Sequence, residues 1–170
     1  MTNPDAAEAR QVPRSDRFAY DPDTQPELFE GVLSKRIVAF LIDALIIVAL
    51  MVPAALLVAI LGIVTLGIGW LLFMPLFALV ALGYVALTLG GPASATVGMR
   101  MAGLEMRTWS GAPMFALLAI MHALVFWFSV GLLTPLILLV GLFTRRRQLL
   151  HDLLLGTVVL NSWPLHHPGR

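Results

Sequence analysis

Four side chains in this chain combine an ionisable group with apolar surroundings: Arg36, Asp43, His122 and Asp152. Such groups can bind a cation or pass on a proton. Within a bilayer an ionised side chain costs roughly 2.5–3.5 kcal/mol on insertion scales unless a partner offsets it. Arg36 and Asp43 stand seven residues apart, so on one helix they project from nearly the same face, about 10 Å apart along its axis. The sequence therefore predicts a cluster of charged and polar groups inside an apolar bundle.

Each of the first two residues has two possible roles. Arg36 is either a cation at the membrane edge that fixes topology, or a fixed counter-ion for Asp43 or Asp152. Asp43 either binds a cation or carries a proton, or it is a hydrogen-bonding staple between helices. The two roles of Asp43 differ in whether its carboxylate faces water and titrates.

Asp152 and His122 lie further along the chain. His151 and Asp152 resemble part of a metal-phosphohydrolase site, but the further His and Asp ligands of such a site are not recognisable at set positions. We therefore expect no metal and no cofactor. Near a helix start, Asp152 is suited to accept backbone N–H bonds and to offset neighbouring arginines. His122 is either a proton relay or a satisfied packing residue.

Catalytic motifs are missing from the sequence. No nucleophile–base pair, phosphate-binding loop or complete set of metal ligands is visible. The chain contains no cysteine, which excludes thiolate chemistry and iron–sulfur clusters. The sequence predicts a protein that is not an enzyme.

The composition determines which elements position these residues. Hydrophobic residues make up 59% of the chain and charged residues 12%, against about 25% charged in soluble domains. Residues 44–99 contain no Asp, Glu, Lys or Arg, roughly twice the length that one membrane crossing of about 20 residues requires. The fold class is therefore an all-α membrane protein, a small multi-pass helical bundle.

Two full membrane helices and a broken third apolar block make up the predicted bundle. The third block is interrupted by Ser129 and by Thr134-Pro135, and we expect it to enter the membrane and return, as two short or re-entrant helices. The predicted helices span residues 34–61, 70–89, 113–129 and 132–144.

Basic residues determine the predicted orientation. Arg145, Arg146 and Arg147 are expected to anchor a helix end to anionic headgroups, at about 1 kcal/mol each, and are too few to indicate nucleic-acid binding. If the third block returns, all basic groups near the membrane lie on one side, which the positive-inside rule makes the cytoplasm. Both termini are then cytoplasmic. The other basic groups on this side are Lys35, Arg36, Arg100 and Arg107.

The remaining segments are polar or short. Residues 1–30 hold seven acids, three arginines and four prolines and are expected to be a disordered or loosely docked tail; residues 163–170 form a C-terminal tail. Two segments, 103–108 and 156–161, have the character of short strands. With the predicted topology both lie on the cytoplasmic side, where they can pair.

Three segments resemble the RDD family of bacterial membrane proteins. The first is Arg-x-x-Ala-Phe-x-x-Asp, from Arg36 to Asp43; the second is Thr-Val-Gly-Met-Arg-Met-Ala-Gly-Leu at 96–104; the third is Arg-Arg-Gln-Leu-Leu-His-Asp-Leu-Leu-Leu-Gly-Thr-Val-Val at 146–159. The resemblance implies a membrane domain over residues 31–162 in the bacterial inner (cell) membrane. The arginine and two aspartates of the family name correspond to Arg36, Asp43 and Asp152. Met99 and Glu105 depart from the family pattern, which expects a basic residue and a neutral or basic one there.

Two functions are compatible with the sequence. The first is transport of ions or protons through the charged cluster, a role that the resemblance also implies for some members. Three or four short segments hardly enclose a pathway alone, so transport requires a homo-oligomer. The second is a non-catalytic membrane module that assembles with or stabilises another membrane protein. The lipid bilayer is a partner in both.

Overall fold

The computed structural model describes residues 19–133 and 148–167. The described residues are mostly helical and include a two-stranded sheet. In chain order, the α-helices and strands are α1 Val32–Val64, α2 Leu76–Thr88, α3 Val97–Met101, β1 Leu104–Thr108, α4 Ala116–Leu133, α5 Leu150–Leu155, β2 Thr157–Asn161 and α6 Ser162–His166.

Helix α1 is the longest element in the described part of the chain. Its 33 residues correspond to about 50 Å, more than the roughly 30 Å of a bilayer core. It is the one described helix that is long and apolar enough to cross a membrane, and only 6% of its most apolar window is buried within the protein. Leu45, Val52 and Leu57 on its surface are about 70% exposed (72%, 71% and 69%). Such an unpartnered apolar surface is suited to lipid, and Pro53 is accommodated inside the helix.

The predicted second helix, residues 70–89, is divided in the structure. Residues Ile68–Phe73 form a 3-10 helix, and the α-helix begins only after Pro75, at Leu76. The 3-10 helix folds back on the end of α1, where Trp70 Nε1 donates to the carbonyl of Ala59 at 3.3 Å. A Cβ on Gly69 would lie 2.8 Å from backbone atoms of α1, so this approach requires glycine.

Helix α4 continues beyond the position at which the sequence places a break. The prediction ends this helix at residue 129, but it runs from Ala116 to Leu133. Ser129 donates its hydroxyl to the carbonyl of Val125 at 2.5 Å, which lets a serine remain inside the helix. The predicted helix 132–144, beyond residue 133, and the basic residues Arg145, Arg146 and Arg147 lie outside the described residues.

The two strands pair antiparallel, with Leu104 opposite Asn161 and Thr108 opposite Thr157. Both begin one residue after the start of the predicted segments. All five residues of β2 are buried. The two-stranded sheet is therefore a central element of the core and not a surface appendage.

Part of the predicted N-terminal tail is ordered and packed. Within residues 19–30, a 3-10 helix covers Pro26–Leu28, and Leu28 and Phe29 are only 3% and 6% exposed. They pack against β2, and the side-chain amide of Asn161 donates to two backbone carbonyls of this segment at 2.9 Å each. Residues 19–30 are therefore packed on the sheet, because two apolar side chains have a core to enter. The expectation of a disordered or loosely docked tail stays a prediction for residues 1–18. Residues 1–18 lie outside the described residues.

The C-terminal segment also folds back on the sheet. Residues 162–166 form α6, and His166 Nε2 lies 2.7 Å from Glu105 Oε2 on β1. The tail therefore begins later than the predicted residue 163. The ring of Trp163 in this helix stacks on that of His167, which comes directly after it, with centroids 4.0 Å apart.

The core lies at the end of the bundle that holds the two-stranded sheet. One cluster joins α1, α3, both strands and the start of α4, and a second joins the N-terminal segment to β2. The first consists of Val32, Ala39, Leu89, Ala95, Met99, Leu104, Met106, Met114, Ala119 and Val159, and the second of Leu28, Phe29, Val158 and Leu160.

Candidate functional site

Asp43 is bound by three neutral donors from α2 and the start of α3. Its Oδ1 accepts from the Tyr84 hydroxyl at 2.6 Å and from the Gly98 N–H at 2.7 Å, and its Oδ2 accepts from the Thr96 hydroxyl at 2.5 Å. The Tyr84 hydroxyl in turn accepts the N–H of Val97 at 3.2 Å. These bonds join three helices at one carboxylate, which is what a structural staple requires.

The local sequence explains why α3 meets Asp43. Thr96 is the N-cap of α3, and its hydroxyl accepts the N–H of Met99 at 3.1 Å while donating to Asp43. A Cβ on Gly98 would lie 2.2 Å from the carbonyl oxygen of Ala39 and 2.8 Å from the Asp43 carboxylate. Glycine is therefore required for the backbone N–H to reach Asp43.

Arg36 and Asp152 form a two-pronged ion pair. Arg36 Nη1 lies 2.5 Å from Asp152 Oδ2, and Nη2 lies 2.9 Å from Oδ1. The Asp152 side chain is completely buried, and the Arg36 side chain is 12% exposed. As the third residue of α5, Asp152 also accepts the N–H of Leu149 at 3.0 Å, so it caps this helix as the sequence suggests.

The ion pair determines the charge state of Asp152. Burial opposes ionisation of this carboxyl, but the charge and hydrogen bonds of Arg36 outweigh burial and hold the pKa of Asp152 well below its usual range. Asp152 is therefore a carboxylate at neutral pH, in an environment with no exposure to solvent.

Two histidines face this carboxylate. Nε2 of His122 and Nε2 of His151 each lie 3.7 Å from Asp152 Oδ1, and the two rings stand nearly perpendicular with centroids 4.8 Å apart. His122 Nδ1 lies 3.5 Å from the hydroxyl of Thr157 on β2. Nδ1 of His151 is buried and has no hydrogen-bond partner among the described residues.

Aromatic side chains cover the histidines. The Phe126 ring lies 5.2 Å from that of His151, and Phe40 lies 5.8 Å from Phe126. Burial lowers the pKa of His151 to about 4, although the Asp152 carboxylate acts in the opposite direction. His151 is therefore a neutral imidazole at pH 7.

The structure divides the predicted cluster into two sites. Arg36, His122 and Asp152 come together, whereas Asp43 is held by hydroxyl and amide donors. His151, Tyr84 and Thr96 are contacts of the two sites that were not among the predicted site residues, although His151 was considered as part of a metal-phosphohydrolase site. Of these, His151 stands beside Asp152 in the sequence and Thr96 belongs to a family-like segment, so both had a signal. Tyr84 had none, because a tyrosine in an apolar helix equally indicates an interface or packing aromatic.

A mostly helical fold with one long apolar helix, two shorter apolar helices and a buried ion pair indicates a small helical membrane protein. The particular family follows from comparison with family models. The model of the RDD family matches residues 31–156, and the chain belongs to this family. Searches of curated proteins and of solved structures find no match to the chain.

Proposed function

We propose that this protein transports protons or small cations across the bacterial inner membrane, using the cluster of Arg36, His122, His151 and Asp152. The observation that carries the proposal is a pair of buried histidines facing a buried carboxylate that is held ionised by an arginine. Buried ionisable groups are costly in a membrane and are typical of ion pathways and proton relays. Histidine suits this role because a neutral imidazole has one ring nitrogen that accepts a proton and one that donates a proton.

Asp43 has a structural role in this proposal. Its three short hydrogen bonds come from neutral groups, and two of them depend on the backbone position of α3. A carboxylate so fully bound holds helices together and is poorly placed to exchange a cation. The transport role therefore belongs to the second site.

The contacts of the two-stranded sheet support a multi-pass topology. The N-terminal segment packs on β2, and α6 packs there as well, so both ends of the described chain lie on one side of the bundle. The chain leaves this side along α1 and is back at it in α3, where Gly98 binds Asp43. It leaves again along α4 and is beside the sheet once more at Gln148, whose side-chain amide donates to the backbone carbonyl of Thr157. By the positive-inside rule this side, with both termini, is cytoplasmic.

Short helices support an oligomer. Helix α2 has 13 residues, which correspond to about 20 Å against roughly 30 Å of hydrocarbon. A lone copy therefore encloses a pathway poorly. We propose that the transporting form is a homo-oligomer, in which neighbouring copies complete the wall around the cluster.

The test is flux of protons and cations in proteoliposomes that contain the purified protein. We expect flux in the wild type and its loss in His122→Gln, which removes a titratable ring from the cluster. His166→Gln is the matched control, because this histidine lies on α6 and binds Glu105 instead of Asp152. Flux lost in Asp43→Asn but kept in His122→Gln would move the transport site to Asp43. A folded, correctly inserted wild type without flux would overturn the proposal.

A second function is supported if the same contacts serve only to hold the fold together. The Asp43 staple and the Arg36–Asp152 pair each join elements distant in sequence, as expected in a non-catalytic module that assembles with or stabilises another membrane protein. Crosslinking in native membranes followed by purification distinguishes the two. A stoichiometric heterologous partner together with absent flux favours the module, and a homo-oligomer with flux favours transport.

A further inference from the structure

We propose that His122, His151 and Asp152 form a binding site for a divalent transition-metal ion such as Zn²⁺. One ligand atom from each of the three residues lies within 4.8 Å of the other two, and all three residues are buried. Two imidazoles and one carboxylate are a ligand set that binds zinc and related ions, whereas Mg²⁺ and Ca²⁺ prefer oxygen ligands.

The distances to Asp152 fit a tetrahedral ion after a small movement. Ligand atoms about 2.1 Å from a tetrahedral centre are about 3.4 Å apart. Both Nε2 atoms lie 3.7 Å from Asp152 Oδ1. A shift of a few tenths of an ångström would bring each ring to coordination distance from Asp152, and the two histidine ligand atoms, which lie within 4.8 Å of each other, would approach by up to about 1.4 Å. Three protein ligands leave a fourth position open to water or another ligand, as in catalytic zinc sites.

Two further features of the rings fit a metal site. The other nitrogen of His122, Nδ1, lies 3.5 Å from the Thr157 hydroxyl, which orients the ring as the outer partner of a metal-bound histidine does. Nδ1 of His151 is buried without a hydrogen-bond partner in the described part of the chain. A buried imidazole nitrogen without a hydrogen-bond partner is a polar group that a bound ion would satisfy.

Arg36 lowers the affinity that this site can have for a cation. Its guanidinium contacts both oxygens of Asp152, so a bound cation shares the carboxylate with a fixed positive charge. We therefore expect weaker binding than at a site with the same ligands and no arginine. The side chains of Arg36 and His122 are 12% and 9% exposed, so the cluster reaches the protein surface at this edge.

The experiment is a zinc titration of the full chain, purified in detergent with an affinity tag that lacks histidine and then stripped with a chelator. We expect one Zn²⁺ per wild-type chain and an affinity at least about 10-fold lower for His151→Gln. The matched control replaces the other two histidines of the chain, as His166→Gln with His167→Gln, and should retain wild-type affinity. No zinc bound by the wild type, or binding lost in the control and kept in His151→Gln, would overturn the proposal.

A spectroscopic measurement keeps the test valid if His151→Gln does not fold. X-ray absorption of the zinc-loaded control variant should show nitrogen or oxygen ligands at about 2.0–2.1 Å and the outer scattering of two imidazoles. In that variant only His122 and His151 remain, so a spectrum without imidazole would exclude the site. Zinc binding at equilibrium does not depend on flux, so this inference and the transport proposal fail independently.

Discussion

At the scale of single residues, the two aspartates of the family signature are satisfied in different ways. Asp43 is bound by two hydroxyls and one backbone N–H, and Asp152 by a guanidinium. Neutral donors and a charged donor have different consequences when a partner is lost. Removing one hydroxyl from Asp43 leaves two bonds, whereas removing Arg36 leaves a carboxylate buried without its cation.

Arg36→Gln should therefore be strongly destabilising. Breaking a buried ion pair by removing one partner costs roughly 3–5 kcal/mol. Thermal unfolding in detergent should show a clear decrease in midpoint relative to wild type. Arg100→Gln is the control, because Arg100 is exposed on α3 and its loss should leave the midpoint nearly unchanged. Equal midpoints for the wild type and Arg36→Gln would show that the pair contributes nothing to stability.

At the scale of elements, the contact between α1 and α3 depends on one glycine. The Gly98 N–H reaches Asp43 only because no side chain separates the two backbones. Short helix α3 then presents Thr96 to the same carboxylate. Precise placement of a five-residue helix thus rests on a close backbone approach as well as on apolar packing.

Gly98→Ala should displace α3 and lower stability, because the new Cβ would lie 2.2 Å from the carbonyl oxygen of Ala39. The control is Gly83→Ala on α2, where a Cβ meets nothing within 4 Å. Alanine is favoured over glycine in a helix by about 1 kcal/mol, so this control should be neutral or stabilising. Comparing the unfolding midpoints of both variants in detergent separates close packing from a general effect of adding a methyl group. A Gly98→Ala midpoint as high as that of the control would contradict the role of Gly98.

Elements were predicted from the sequence more successfully than partners. Helix α1 follows from a charge-free run, and β1 follows from alternation over a few residues. The partner of Arg36 could not be chosen, since Asp43 and Asp152 both satisfy the need for a counter-ion. The choice depends on how α5 packs against α1, 116 positions away in sequence. No periodic pattern within one segment encodes such a contact.

The metal-ligand set was missed for a related reason. His151 and Asp152 are adjacent, but the third side chain, His122, comes from a separate apolar helix. Counting ligands along the sequence treats such a residue as unrelated. The end of the helix predicted at residue 129 was wrong because the hydroxyl bond from Ser129 to Val125, which keeps serine within the helix, is not visible in composition.

At the scale of the whole molecule, the N-terminal segment, residues 19–30, covers the end of the bundle that holds the two-stranded sheet. Leu28 and Phe29 fill a small core with β2, so residues far apart in the chain stabilise each other. This contact unites the two ends of the described chain on one face of the protein. The bundle is therefore held at that end by packing in addition to charge.

Phe29→Ala should weaken this closure. Truncating a buried phenylalanine costs roughly 3–5 kcal/mol, and Phe29 is 6% exposed. We expect a lower unfolding midpoint and faster proteolysis within residues 19–30. The control is Leu87→Ala, because Leu87 on α2 is 82% exposed, and it should change neither measurement appreciably. Unchanged proteolysis in Phe29→Ala would show that the segment is held by other contacts.

The Arg36–Asp152 pair also has a consequence for biogenesis. Its two halves are 116 residues apart, so α1 is synthesised well before its acidic partner. At about 5–20 residues per second, the ribosome adds Asp152 roughly 6–23 s after Arg36. During that interval the pair does not exist, and the insertion machinery or the lipid headgroups must accommodate the guanidinium. A chain truncated before residue 152 never completes the pair.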